Sequence, residues 1–199
     1  MRSVGVRRFT YGKGDFMRKD IAKILITEEE IDRITTRLAA EIDRDYAGDD
    51  KNLILVCVLK GSIVFMGDIM KKITVPAQID CIKASSYGAG TVSTGTVNIQ
   101  LDLVRSDLNN CDLLVVEDII DTGITLSHLT KYLIDKGARS VKTCTLLDKP
   151  SRRRVELTPD YCGAEIPDEF VVGYGLDYNE DYRALPFIGV LDPSVYSGE

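Results

Sequence analysis

The chain has 199 residues, 44% of them hydrophobic and 28% charged, which is the balance of a globular protein with a sizeable core and not that of a disordered one. The formal net charge of −6 argues against a broad nucleic-acid footprint, which needs a basic face, and no apolar run approaches the roughly 20 residues that cross a bilayer. The first residues are basic without an apolar stretch of signal type, and the five cysteines (Cys57, Cys81, Cys111, Cys144, Cys162) are odd in number, widely spaced and without a CxxC, so a cytoplasmic, reducing location is expected.

In chain order, Thr27 and Glu30 form a capping box. Ile31, Ile34, Leu38, Ile42 and Tyr46 follow at helical spacing, predicting a helix that ends before Gly48. Its apolar stripe suits either the chain's own core or a contact with another copy. Residues 53–58, LILVCV, form a continuous apolar run and predict a strand buried on both faces. Leu59-Lys60-Gly61-Ser62 is the turn after it, and residues 63–73 predict a helix. Residues 78–85 and 96–104 alternate in polarity and predict two antiparallel strands. They are joined by YGAGTVSTG, residues 87–95, expected to be a mobile loop. Residues 113–117 predict a further buried strand, 125–136 a helix closed by Gly137, and 141–147 another strand. Strands alternating with helices imply an α/β fold, a mainly parallel sheet with helices on both faces. Ligands of such sheets bind at the carboxyl ends of the strands. No repeat, low-complexity tract or linker divides the chain, so one domain over residues 1–199 is expected, with its core at 50–150.

The most informative segment is residues 113–126, LLVVEDIIDTGITL. A buried strand ends on two adjacent carboxylates, Glu117 and Asp118. Then come Asp121, Thr122, Gly123, Ile124 and Thr125, a small polar loop that opens a helix. Free backbone N–H groups at a helix N-terminus make an anion site. Two carboxylates beside it do not suit a phosphate; they suit the hydroxyls of a ribose, or a magnesium ion. Together these features read as a ribose-phosphate site. The single histidine, His128, sits on the helix that follows, and no zinc or Ser-His arrangement can be built around it. Neither GxxxxGK[ST] nor GxGxxG occurs, which removes a P-loop or dinucleotide enzyme.

The acid pair and D-T-G-x-T loop resemble the diphosphosugar-binding motif of the phosphoribosyltransferases. VLKGS at Lys60-Gly61, SSY at Ser86-Tyr87, LLDKP at Lys149 and FVVGYGLDYNEDYR from Phe170 to Arg183 extend the resemblance over most of residues 20–192. In that order they resemble the hypoxanthine-guanine phosphoribosyltransferases of bacterial type. One departure is Ser62, where the family usually has a second glycine; its hydroxyl could donate to phosphate.

The resemblance implies a fold in which the N- and C-terminal segments, about residues 1–25 and 151–199, build a small hood over the sheet. It implies a cis peptide between Leu59 and Lys60 in some states. It also implies magnesium-dependent transfer of phosphoribosyl from phosphoribosyl pyrophosphate (PRPP) to N9 of hypoxanthine or guanine, giving IMP or GMP and pyrophosphate in purine salvage. Asp121–Thr125 would hold the 5′-phosphate, and Glu117 and Asp118 the ribose hydroxyls, directly or beside magnesium; Asp177 would bind magnesium. Lys60, Gly61 and Arg183 would neutralise pyrophosphate. Asp121 would move the proton at purine N7, and Lys149 would donate to O6. Phe170 would stack on the base, with Val171 and Asp177 reading its other edge. Ser86 and Tyr87 would begin a flap that closes over the reacting centre. A homo-oligomer, dimer or tetramer, is expected, with neither nucleic acid nor membrane as partner. Two alternatives use the same fold: a nucleic-acid-binding regulator, opposed by the net charge and by Asp121, and a transferase for xanthine.

Overall fold

The structure, a computed structural model, describes residues 19–48, 52–86 and 97–197. Nine strands and four α-helices are built from them. A six-stranded sheet has the order β4-β3-β2-β5-β6-β7. Its members are β2 (Leu53–Val58), β3 (Ala77–Ser86), β4 (Val97–Leu101), β5 (Asp112–Ile120), β6 (Ser140–Asp148) and β7 (Tyr161–Glu165). All neighbours are parallel except β3 and β4. A second sheet, antiparallel, places β9 (Ile188–Leu191) between β1 (Ile21–Ile26) and β8 (Val171–Val172). The hood expected from the terminal segments corresponds to this second sheet, since β1 comes from one end of the chain and β8 and β9 from the other. The fold is the mainly parallel α/β arrangement that the alternating pattern implied.

The buried strands explain their own composition. Alternate residues of a strand face opposite sides, and both sides of β2 and β5 are covered. On one side Leu53, Leu55, Leu114 and Val116 pack with α1 (Glu28–Tyr46) and α2 (Ile63–Lys72). On the other, Ile54, Val56, Leu113 and Val115 pack with Leu126, Leu129 and Leu133 of α3 (Ile124–Asp135). Continuous apolar runs are what such strands require.

The capping box at the start of α1 is formed in both directions. Glu30 N–H donates to Thr27 Oγ1 at 3.2 Å, and Thr27 N–H to Glu30 Oε2 at 2.8 Å. Ile31, Leu38, Ile42 and Tyr46 are buried, so the apolar stripe of α1 is taken up by the chain's own core. α2 carries three of the exposed large apolar residues, Ile63, Val64 and Met70.

Two strand ends differ from the sequence-based expectation. β5 runs on to Ile120, pairing Glu117 with Thr145 and Ile120 with Asp148, so the acid pair sits inside the strand's end. β4 stops at Leu101 rather than at residue 104. Asp102 turns the chain there: its Oδ1 accepts from Leu103 N–H at 2.8 Å, and its Oδ2 from Tyr132 Oη at 2.7 Å and Lys136 Nζ at 2.6 Å. The short strands β1, β7 and β9 carried no strand expectation. The loop 87–95 lies outside the described residues. The Leu59–Lys60 peptide is cis.

Leu114 is 0% exposed at the centre of β5. Leu114→Ala should therefore cost about 2–5 kcal/mol. Urea unfolding should show a lowered midpoint at unchanged m-value; an unmoved midpoint would contradict the placement of β5 at the heart of the core.

Candidate active site

The residues singled out in the sequence meet at the carboxyl ends of β2, β5 and β6. Two cavities open there. One, of about 390 Å³, is lined by Leu59, Gly61, Glu117, Asp118, Asp121, Thr122, Gly123 and Thr125, with Ile124 outside its lining. The other, of about 430 Å³, is lined by Lys149, Arg152, Asp168, Phe170, Val171 and Tyr196. Ile119 and Asp121 line both. Asp121 is thus the polar residue on the wall between them.

In the first cavity the turn from β5 into α3 passes through Gly123, which is the N-cap and has φ +78°. Glycine takes this left-handed conformation without a Cβ penalty. The turn sets the N-terminus of α3 beside the cavity, where a helix leaves N–H groups without intrahelical partners. Thr122 Oγ1 accepts from Ile124 N–H at 3.4 Å. Arg154 N–H donates to Thr122 O at 3.0 Å, and Arg153 Nη1 to Asp121 O at 2.9 Å, so the chain after β6 clamps the loop from behind.

Glu117 and Asp118 lie on the cavity floor, deep among protein atoms. Burial and the charge of Asp118 push the Glu117 carboxyl well above the ordinary range. Burial pushes Asp118 up to about 6, against the Ile119 N–H that it accepts at 2.9 Å and the attraction of Arg183. Two adjacent buried carboxylates resist joint ionisation. A hard cation or a pair of donated hydroxyls would relieve them, so the donor set fits magnesium. Asp177, which also repels Asp118, is the third carboxylate of this region. Among the described residues no three or more His, Cys, Asp or Glu side chains converge on one point; these carboxylates could hold an ion only together with ligand oxygens or water.

Gly61 permits the approach of three segments. A Cβ there would lie 1.6 Å from Asp118 Oδ2, and a Cβ on Gly175 would lie 2.0 Å from Gly61 O. The turn after β2 and the C-terminal segment therefore meet backbone to backbone, and the Asp118 side chain at the end of β5 closes on the same glycine. Arg183 Nη1 donates to Gly175 O at 2.7 Å, and Arg183 Nη2 pairs with Asp177 at 2.8 Å. Lys60 Nζ pairs with Glu180 at 2.8 Å. Ser62 corrects one expectation. It is buried, and its hydroxyl donates to Val58 O at 2.5 Å beside Cys57 Sγ, so it faces the protein and not an anion. Burial pushes the Cys57 thiol up to about 11, which keeps it an inert packing group.

In the second cavity Lys149 Nζ donates to Glu169 O at 2.7 Å and lies 4.0 Å from Asp168. Phe170 is 40% exposed. Its ring stacks on Tyr196 at 5.2 Å and meets Tyr178 edge-on at 5.7 Å, so one aromatic wall faces the Lys149 side. Val171 is buried in β8. Ser86 ends β3; Tyr87 lies outside the described residues. His128 is exposed on α3.

Three residues that the sequence did not single out, Arg152, Asp168 and Tyr196, line the second cavity, and a fourth, Glu180, pairs with Lys60 and Arg183. Arg152 Nε donates to Asp121 Oδ1 at 2.5 Å, and its Nη1 lies 3.3 Å from Asp168. Glu180 carries the Lys60 and Arg183 contacts. Tyr196 backs Phe170. The arginine run 152–154, one residue after Lys149-Pro150, was the available signal for Arg152; a lone Tyr at position 196 offered none.

The raised Asp118 carboxyl has a sign that can be tested. The folded state binds its proton more tightly than the unfolded chain, so stability falls as pH rises from about 4 to about 6. Asp118→Asn should then raise the Tm of the free protein at pH 7, by a few degrees for a penalty on the order of 1–2 kcal/mol. At pH 4 and below the difference should vanish. A variant less stable than wild type at pH 7 would sink this account of the acid pair.

The chain is similar to known proteins over most of its length. The family pattern described as "Phosphoribosyl transferase domain" matches residues 23–179. A hypoxanthine-guanine phosphoribosyltransferase of Staphylococcus aureus (strain Mu50 / ATCC 700699) is 49% identical over 181 residues, 91% of this chain and 99% of that one. A solved hypoxanthine phosphoribosyltransferase structure from Staphylococcus aureus has a TM-score of 0.86 at 48% identity, covering 91% of this chain and 97% of the other. A hypoxanthine-guanine phosphoribosyltransferase from Bacillus anthracis gives 0.81 at 44% identity, covering 86% and 99%. A family pattern over most of the chain, and relatives matched over nearly their whole length, show that the chain belongs to the phosphoribosyltransferase family, among its hypoxanthine-guanine phosphoribosyltransferases.

Proposed function

We propose that this enzyme transfers the 5-phosphoribosyl group of PRPP to N9 of hypoxanthine or guanine, releasing pyrophosphate and forming IMP or GMP. The observation that carries the reading is Asp121. It stands between a cavity built for a sugar phosphate and a cavity with an aromatic wall and a buried lysine. A base on one side and a ribose on the other would react across this residue.

The roles follow from the chemistry of each group. The α3 N-terminus and the hydroxyls of Thr122 and Thr125 bind the 5′-phosphate. Glu117 and Asp118 accept from the ribose hydroxyls and orient the ring. Lys149 donates to O6 of a 6-oxopurine; adenine presents an amino group there, leaving the buried ammonium facing a donor, which discriminates strongly. Phe170 stacks on the base, and the Val171 backbone reads its far edge. Asp121 takes or holds the proton at N7, while Arg152 keeps its carboxylate oriented. As the bond to ribose C1 breaks, Lys60, Arg183 and the Gly61 backbone stabilise the charge gathering on pyrophosphate. Glu117, Asp118 and Asp177 would hold magnesium, which supplies charge neutralisation at the pyrophosphate oxygens. The segment from Ser86 and Tyr87 excludes water, so that transfer outpaces hydrolysis.

The chain acts as one domain in the cytoplasm, and it assembles as a homo-oligomer. The exposed residues Ile63, Val64 and Met70 of α2, rather than the buried stripe of α1, suit that contact. No helix among the described residues is long and apolar enough to cross a membrane.

Purified protein with PRPP and magnesium should form nucleotide rapidly from hypoxanthine or guanine and poorly from adenine. Asp121→Asn should lower kcat by about 10²–10⁴-fold, and chelation of magnesium should abolish turnover. Nucleotide from adenine alone, or full activity in the Asn variant, would contradict the assignment. Gly61→Ala should raise the KM for PRPP at least about tenfold, since its Cβ and Asp118 cannot both stay in place; an unchanged KM would remove Gly61 from the site.

A further inference from the structure

Lys60 and Arg183, read above as ligands of the leaving pyrophosphate, converge here on one carboxylate. Lys60 Nζ donates to both oxygens of Glu180, at 2.8 and 2.9 Å. Arg183 Nη2 lies 3.3 Å from Glu180 Oε2. Lysine and arginine use the same donors for carboxylate and for phosphate. Two carboxylate oxygens on these two cations therefore stand where phosphoryl oxygens would stand.

The backbone holds Glu180 to this task. Asn179, Glu180 and Tyr182 have φ of +51°, +67° and +72°, a region that non-glycine residues rarely adopt. Glu180 N–H donates to Asp177 Oδ2 at 3.0 Å. Tyr178 and Asp181 bridge across the turn, and Tyr182 Oη donates to Asp20 at 2.8 Å. A segment so constrained does not carry Glu180 to the cations by a chance swing of a loop. Its carboxylate is nevertheless 64% exposed, so an anion arriving from solvent can replace it.

We propose that Glu180 is an internal anion that occupies the leaving-group subsite of the free enzyme, and that an incoming polyphosphate must displace it from Lys60 and Arg183. The inference rests on the pyrophosphate reading of those two cations. Glu180 keeps the cations together and ordered between turnovers. It weakens the binding of PRPP and of pyrophosphate alike, and it takes the cations back as pyrophosphate leaves. The Lys60–Glu180 pair is solvent-exposed and Arg183 is half-buried, so the competition amounts to about three- to tenfold in affinity.

The test is calorimetric titration of inorganic pyrophosphate, with magnesium, into the whole protein at low salt, for wild type, E180Q, E180N and R183Q. Asparagine tolerates positive φ, so E180N checks that the effect belongs to the charge and not to the backbone. Both Glu180 variants should bind pyrophosphate about three- to tenfold more tightly than wild type, and their KM for PRPP should fall in step. The gain should shrink as salt screens the pairs. R183Q should bind at least tenfold more weakly (roughly the loss of one charge-assisted contact). Unchanged or weaker binding by E180Q and E180N, with R183Q still defective, would overturn the inference and leave the pyrophosphate reading standing. Equal binding by wild type and R183Q would overturn that reading itself.

Discussion

Two carboxyl groups side by side at the end of a buried strand are the constraint on which the rest of this molecule turns. Glu117 and Asp118 cost stability in the free protein, because burial and mutual repulsion both oppose their ionisation. A sequence selected for stability alone would not keep them. The core compensates: β5 is covered on both faces by aliphatic side chains, and its parallel neighbours β2 and β6 hold it along its length. The strand can carry an unfavourable pair at its tip because everything behind the tip is strongly packed.

The surroundings of the pair follow from that position. A carboxylate can meet a backbone only where no Cβ intervenes, and Gly61 provides the gap beside Asp118. The same carbonyl leaves no room for a side chain at residue 175. Backbone contact thus ties the C-terminal segment to the turn after β2, and it brings Asp177, Glu180 and Arg183 beside Lys60. On the other side, Asp121 sits one strand residue beyond Ile120, and the chain leaving β6 returns Lys149 and Arg152 to face it. Outside the acid pair the carboxylates of this region do have cation partners: Asp121 meets Arg152, Asp177 meets Arg183 and Glu180 meets Lys60.

Much of this was legible in the residues. LILVCV and LLVV announced strands covered on both faces, and Thr27 with Glu30 announced the start of α1. The acid pair followed by D-T-G-x-T located the principal cavity, because strand, carboxylates and helix N-terminus are adjacent in sequence. What depends on distant segments was not legible. β1 and β9 are too short and ordinary to be recognised until they pair with each other. The role of Ser62 depended on whether its hydroxyl turned inward, and Val58 O decides that. Arg152 became informative only once its guanidinium was seen on Asp121, and Glu180 once Lys60, 120 residues away, was seen on its carboxylate.

The most direct test of the central claim is a carboxyl-detected NMR titration of Asp118, in the free protein and with PRPP and magnesium bound. The account predicts an apparent pKa near 6 in the free protein, falling below the ordinary carboxylate value once hydroxyls and metal satisfy the pair. Titration of Asp118 near 4 in the free protein, or no response to the ligand, would contradict it.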